Sequence, residues 1–323
     1  MKLKMNFDFY KHRYIFMAIS GALLIAGLVG AIVNGGLNYD IQFEGGTQLE
    51  IPMQADNFET NAVQNLVSDM MNKSITAQKQ EVYNPDSPGA QETSLVIKAS
   101  KSEVMDDEQI SILIEILNTE YGIREGRNVS IRTVEPYIGA EMLQKGLAAI
   151  FITATCILLY VCVRFSVMSG WSAAVCATLG LLHDVLIMLS FYTVFQLPVN
   201  DSFIAAILTM LGYSINDTIV VYDRIRENAK KVKKNSYVEL VNTSLNQTFT
   251  RTLNTTITTL IAVLTVYVFA IRFDIGSLKE FCLPIIVGLI SGVYSTLFIA
   301  AQTWAMWQNR KLNRKVAGQQ AAK

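Results

Sequence analysis

The sequence predicts a polytopic α-helical membrane protein with six transmembrane helices and a small extracytoplasmic α+β domain between helices 1 and 2. Three observations carry that class. Of 323 residues, 51% are hydrophobic and 17% are charged, against about 25% charged in soluble domains. Six apolar runs reach or approach the roughly 20 residues that cross a hydrocarbon core of about 30 Å. One long stretch, residues 34–145, has instead the alternating and helical patterns of a folded polar domain.

Residues 1–13 form a short basic leader with Lys2, Lys4, Lys11 and Arg13 against Asp8. Residues 14–33 follow without a charge. The run is longer than the 7–15-residue apolar core of a signal peptide, and no small-x-small cleavage site closes it, so it is expected to stay as an anchor. In GLNYDIQFEGGTQLEI, Tyr39, Ile41 and Phe43 alternate with polar residues before Gly45-Gly46 and a second alternating run, which predicts a β-hairpin. Residues 57–72 carry Phe58, Ala62, Leu66 and Met70 at helical spacing. Strands are expected over 76–83, 94–99 and 129–134, a second helix over 106–121, and a turn-rich loop over 84–89. The order ββαββαβ fits a ferredoxin-like α+β sandwich.

The remaining spans are expected over 146–163, 171–195, 202–222, 253–271 and 281–307. Between them lie a strongly basic connection, 223–251, and a basic tail, 308–323. Lys and Arg mark cytoplasmic loops, so both termini and the 223–251 connection are placed in the cytoplasm. The 34–145 domain, with eighteen acids against eight bases up to Lys145, falls on the other side. The topology already accounts for the basic connection, and it lacks interleaved aromatics, so no nucleic-acid partner is expected.

Ionisable groups within the spans are functional candidates, because hydrocarbon makes them costly. They are Asp217 in LGYSINDTIVVYDRIREN, Arg251 at the mouth of the fifth span, and His183 with Asp184 in the third. Asp217 lies about five residues from the polar end of its span, roughly 8 Å in at 1.5 Å per residue. Tyr213, Ser214 and Asn216 sit near it. Gln247, Arg251, Thr255, Thr258 and Thr259 make a second polar stripe. Two such stripes are expected to face each other as a polar seam. Low-dielectric surroundings favour a neutral Asp217, while a nearby Arg251 favours its charge. A proton relay and a static Asp217–Arg251 pair both fit that chemistry. His183 and Asp184 are adjacent, about 100° apart on a helix, and read as secondary polar residues.

The four cysteines fall in apolar runs and are expected to be unpaired packing residues. No metal-ligand spacing occurs, and no cofactor is expected. The outer stretch has neither His nor Cys, and Gly45-Gly46 is not followed by a helix that could cradle phosphate. An enzyme is therefore not expected. Asp184 and Asp217 could form an aspartyl-protease pair only if their carboxyls meet.

GLNYDIQFEGGTQLE, LLHDVLI, GYSINDTIVVYDRIREN and SLNQTFTRTLNTT together resemble, in order and over essentially the whole chain, the SecF family of bacterial protein-export membrane subunits. The stretch Asp40–Glu44 departs from the family's usual Gly-Ile-Asp-Phe-Thr. The resemblance implies half of an RND-type transporter in the cytoplasmic membrane. Its implied partners are SecD, the SecYEG channel and in some members YajC, and its implied cargo is a translocating polypeptide moved with the proton motive force. It also assigns proton coupling to Asp217 and Arg251, which tilts the relay against the static pair. A small-molecule efflux half-transporter of the same superfamily is the alternative, weakened by an outer domain of only about 110 residues.

Overall fold

The computed structural model describes residues 7–54, 58–71, 75–83, 91–99, 105–124, 128–166, 170–230, 237–273 and 275–321. The turn-rich loop at 84–89 and the basic residues 231–234 lie outside them. Six helices are long and apolar enough to cross a membrane: α1 (Arg13–Val33), α5 (Pro136–Arg164), α6 (Gly170–Phe195), α7 (Asp201–Ala229), α8 (Tyr237–Arg272), and α9 (Gly276–Tyr294) continuing through a π-helical turn (Ser295–Ala300) into α10 (Ala301–Ala321). The chain is a multi-pass membrane protein.

Between α1 and α5 sits the α+β domain. A short helix α2 (Ile41–Glu44) leads into β1 (Gly46–Pro52), α3 (Thr60–Met71), β2 (Ile75–Tyr83), β3 (Gln91–Ala99), α4 (Asp107–Tyr121) and β4 (Ser130–Val134). The four strands form one antiparallel sheet in the order β2-β3-β1-β4. The βαββαβ order with this strand arrangement is the ferredoxin-like sandwich that the pattern predicted. Leu49, Ile51, Leu95 and Ile97 of the sheet and Leu113 and Leu117 of α4 are fully buried together. Asp106 and Gln109 cap α4 reciprocally, a capping box that ties two end groups of the helix.

The expected hairpin over residues 39–51 is not formed. Its first arm is α2, capped by Asp40, whose side chain accepts from the Gln42 amide. The alternating Ile41 and Phe43 are both buried, as the pattern required, but they serve a single helical turn wedged against α5. A Cβ on Gly139 would stand 2.7 Å from the Phe43 carbonyl oxygen, so glycine lets the two backbones meet. Gly45, at φ 79°, makes the exit into β1. The unusual Asp40 thus has a local job: besides the cap, it lies 3.4 Å from Lys98 of β3.

Two further expectations are corrected. The basic connection 223–251 is not a loop at its ends, since α7 runs on to Ala229 and α8 begins at Tyr237. Polar helical turns continue past the apolar runs, and hydropathy alone marks only the apolar part of each helix. The span expected over 146–163 likewise starts at Pro136, which stands at the first turn of α5, where proline fits. Strand β4 is exposed over most of its length, Ile131 included.

Within the bundle, α6, α7 and α9 form the interior, and α1, α5 and α8 flank it. Close approach is set by small residues. Gly27 and Gly30 of α1 lie against Ser190 and Val194 of α6, and Thr193 donates to the Gly27 carbonyl at 3.1 Å. At the end away from the sheet domain, residues 7–12 before α1 are docked onto α8. Phe9 is fully buried, and the Phe7 and Phe9 amides donate to Asn246 and Asn242 of α8, each at 2.9 Å. All four cysteines are unpaired.

Candidate functional site

Two polar centres lie inside the bundle, and α7 contributes to both. The first is Asp217. It is 3% exposed, and its Oδ2 accepts from Thr256 Oγ1 of α8 at 3.5 Å. Tyr213 Oη donates to Thr259 Oγ1 of α8 at 3.2 Å. The α7–α8 seam expected from the sequence is therefore present. Its register differs from the one read off the sequence. The buried α8 face is Thr248, Thr252 and Thr256, at i, i+4 and i+8, which share one side of a helix. Thr255 and Thr258 point away and turn their hydroxyls back onto Arg251 and Asn254 carbonyls. Asn216 is exposed and joins no seam contact. The threonine spacing was readable in SLNQTFTRTLNTT, but the neighbouring stripe through Arg251 masked it.

Arg251 does not form an ion pair with Asp217 among the described residues. It is exposed and stands in the wall of a cavity of about 480 Å3 at the basic end of the bundle. Val220, Asp223, Arg224, Glu227, Gln247 and Thr248 share that wall. Val220 lies one turn beyond Asp217 on α7, and Thr248 two turns before Thr256 on α8, so the cavity approaches the carboxyl along the seam. Its rim is charged. Asp223 meets Arg164 at 3.0 Å and Arg226 at 2.8 Å, and Arg224 pairs with Glu227. Gln247 Oε1 accepts from Arg224 at 2.7 Å and from Asn228 at 2.8 Å, which ties α7 to α8 there.

The second centre is Asp184 of α6, 2% exposed. Sequence reasoning ranked it below Asp217, yet it is the better connected of the two. Its Oδ2 accepts from Ser214 of α7 at 2.7 Å and Ser295 of the π-turn at 2.8 Å. Its Oδ1 accepts from Ser291 of α9 at 2.7 Å and lies 3.4 Å from His183 Nδ1. Ser214 thus belongs to this centre and not to the α7–α8 seam. The serines were missed because single serines in apolar runs carry no periodic signal. The SGVYS spacing of Ser291 and Ser295, i and i+4 on one face, was the one available clue. The π-turn begins at Ser295, and such insertions cluster at functional sites.

The two carboxyls have different partners: Asp184 is engaged by Ser214, by α9 and by the π-turn, and Asp217 by Thr256 of α8. Clusters of three or more His, Cys, Asp or Glu that could hold a metal are absent among the described residues.

A flanking ferredoxin-like domain, six spans and buried carboxyls with polar partners on several helices define an integral membrane protein of transporter-like build. A profile described as "Protein export membrane protein SecD/SecF, C-terminal" matches residues 115–310. SecF of Alicyclobacillus acidocaldarius is 31% identical over 99% of both chains. SecDF of Bacillus subtilis is 34% identical over 97% of this chain and 40% of its own length. The crystal structure of SecDF from Thermus thermophilus superposes with a TM-score of 0.78 at 31% identity, over 96% of this chain and 40% of that one. The chain belongs to the SecD/SecF family of protein export membrane proteins. It spans about two fifths of the Bacillus and Thermus SecDF chains and 99% of the Alicyclobacillus SecF.

Proposed function

We propose that the chain is a non-enzymatic subunit of the Sec protein-export machinery, working with a SecD partner to use the proton motive force in moving polypeptides across the bacterial cytoplasmic membrane. The observation that carries this reading is Asp217. It is an acid buried in a helical seam, one helical turn from Val220 in the wall of a cavity that also holds Arg251. A buried carboxyl reached from one side is suited to exchange a proton when the seam shifts. One charge crossing the membrane supplies about 2.3 kcal/mol per 100 mV, enough to bias a bundle between two packings.

SecD partnership is supported by the SecDF relatives, in which a segment like this one occupies two fifths of a longer chain. Contact with SecYEG, and with YajC in some organisms, belongs to the same reading. So does the orientation: the basic end with Arg224, Arg226, Arg310 and Lys311 lies in the cytoplasm and the sheet domain outside. The test is export into inverted membrane vesicles with and without an imposed proton gradient. Asp217→Asn is expected to insert, bind its partner and support only gradient-independent export. Undiminished gradient stimulation in that variant rejects the reading.

A further inference from the structure

Asp184 and its neighbours allow the protons of a buried network to be counted. The chain of contacts begins at a backbone carbonyl, which can only accept. Tyr294 Oη donates to the Phe16 carbonyl at 2.5 Å, which uses the one phenolic proton. Tyr294 Oη therefore accepts from Ser20 Oγ, at 3.3 Å. The Ser20 proton is then used, and Ser20 Oγ accepts from His183 Nε2, at 3.0 Å. With Nε2 donating, His183 Nδ1 faces Asp184 Oδ1 at 3.4 Å. A bare Nδ1 and a bare carboxylate oxygen would be two acceptors face to face, so one proton belongs between them. It sits on Nδ1 as an imidazolium or on Asp184 as a carboxylic acid.

Charge leads to the same count independently. His183 is 8% and Asp184 2% exposed, and among the described residues no lysine or arginine is bonded to either. With one shared proton the pair is neutral; without it a net negative charge stands in a dry helical interior, which is expensive. Packing beside the pair is close. A Cβ on Gly292 would lie 3.3 Å from Ser214 Oγ and 3.8 Å from Asp184 Oδ2.

We propose that His183 and Asp184 form a second proton-carrying site of this chain, coupled to Asp217 through the α7 turn that starts at Ser214. The groups facing the pair are Phe16 and Ser20 of α1, Ser214 of α7, Ser291 and Tyr294 of α9, and Ser295 of the π-turn. The other buried acid nearby is Asp217, three residues past Ser214 and bonded to α8 instead. When the shared proton leaves to water, the uncompensated charge must be met by rearranging the three serine donors. Those donors sit on α7, α9 and the π-turn, the segments that flank the Asp217 seam. The coupling rests on the proton-driven reading above, whereas the shared proton does not.

The chain holds two histidines, so 15N-histidine labelling of full-length protein in lipid nanodiscs, with His12→Gln to remove the second signal, reads His183 directly. The expected result is a protonated Nε2, with Nδ1 either protonated or hydrogen-bonded to a carboxylic acid whose infrared band disappears in Asp184→Asn. A bare Nε2 with a protonated Nδ1 means a neutral histidine beside a carboxylate and overturns the proposal. In vesicles, Asp184→Asn is expected to lower gradient-stimulated export at least several-fold with Asp217 intact and partner binding retained. Full stimulation in Asp184→Asn, alongside loss in Asp217→Asn, also overturns it. Full stimulation in both variants instead counts against the proton-driven reading itself.

Discussion

The bundle carries two buried acids built in opposite ways. Asp184 is saturated: three serine hydroxyls at 2.7–2.8 Å and a histidine nitrogen surround its two oxygens. Asp217 is sparsely held, with one long contact from Thr256 at 3.5 Å. A polar cavity with Arg251 in its wall lies along the seam beyond it. In a low-dielectric interior, a fully bonded polar network specifies one packing, and an under-bonded group is poised to change partners. The difference teaches that depth of burial alone does not say how an acid is held. Both acids are almost fully buried; their donors distinguish a centre whose change must rearrange three helical segments from one that a shift of α8 could open.

The comparison can be broken most severely at Asp217. Asp217→Asn is expected to cut gradient-stimulated export about tenfold or more while leaving thermal stability nearly unchanged, because a single long hydrogen bond is lost. Stability of the purified protein followed by tryptophan fluorescence, beside export assays, separates the two effects. A large loss of stability would mean that Asp217 holds the packing as firmly as Asp184 does.

The reverse split is expected at the serine clamp. Ser291→Ala removes a donor at 2.7 Å from a buried carboxyl and is expected to cost about 1–2 kcal/mol. Denaturant titration in detergent checks this. A change below a few tenths would show that Asp184 has solvent or another partner to turn to. Gly139→Ala probes a separate contact at the domain junction, where a Cβ would press within 2.7 Å of the Phe43 carbonyl. It is expected to destabilise the junction of α2 and α5 by about 1–3 kcal/mol, read as faster proteolysis between the sheet domain and the bundle.

Arg251 sharpens the comparison more gently. It stands in the cavity without pairing with Asp217, so its charge matters more than its fork-shaped geometry. Arg251→Lys is expected to keep about half or more of the stimulation, and Arg251→Gln to lose most of it, the reverse of a bidentate site, where lysine fails. Export assays on both variants decide. The smallest effect is expected from Tyr213→Phe, which removes one hydroxyl contact to Thr259 worth about 0.6 kcal/mol and should leave export close to normal.

Much of this architecture was legible in the sequence, for identifiable reasons. The six spans follow from run length, and the ferredoxin-like domain follows from strand and helix periods that tolerate errors of a residue or two. Asp217 stood out because an acid among Ile215, Ile219 and Val220 is costly in hydrocarbon, whether it serves as a relay or as a static pair. Partner geometry was harder. A helix stripe misread by one residue turns by 100°, which is why Thr255 and Thr258 were expected where Thr252 and Thr256 stand. Asp184 was undervalued because its donors come from three segments far apart in sequence, Ser214, Ser291 and Ser295, and no local pattern brings such residues together. The hairpin failed at Asp40, where a cap outweighed an alternation only three residues long.

The most direct test is proton flux into liposomes that hold the full chain with its SecD partner, read by an internal pH-sensitive dye under an imposed potential. The account predicts flux for the wild-type complex and its loss in Asp217→Asn, with the complex still assembled. Equal flux in the two would contradict it.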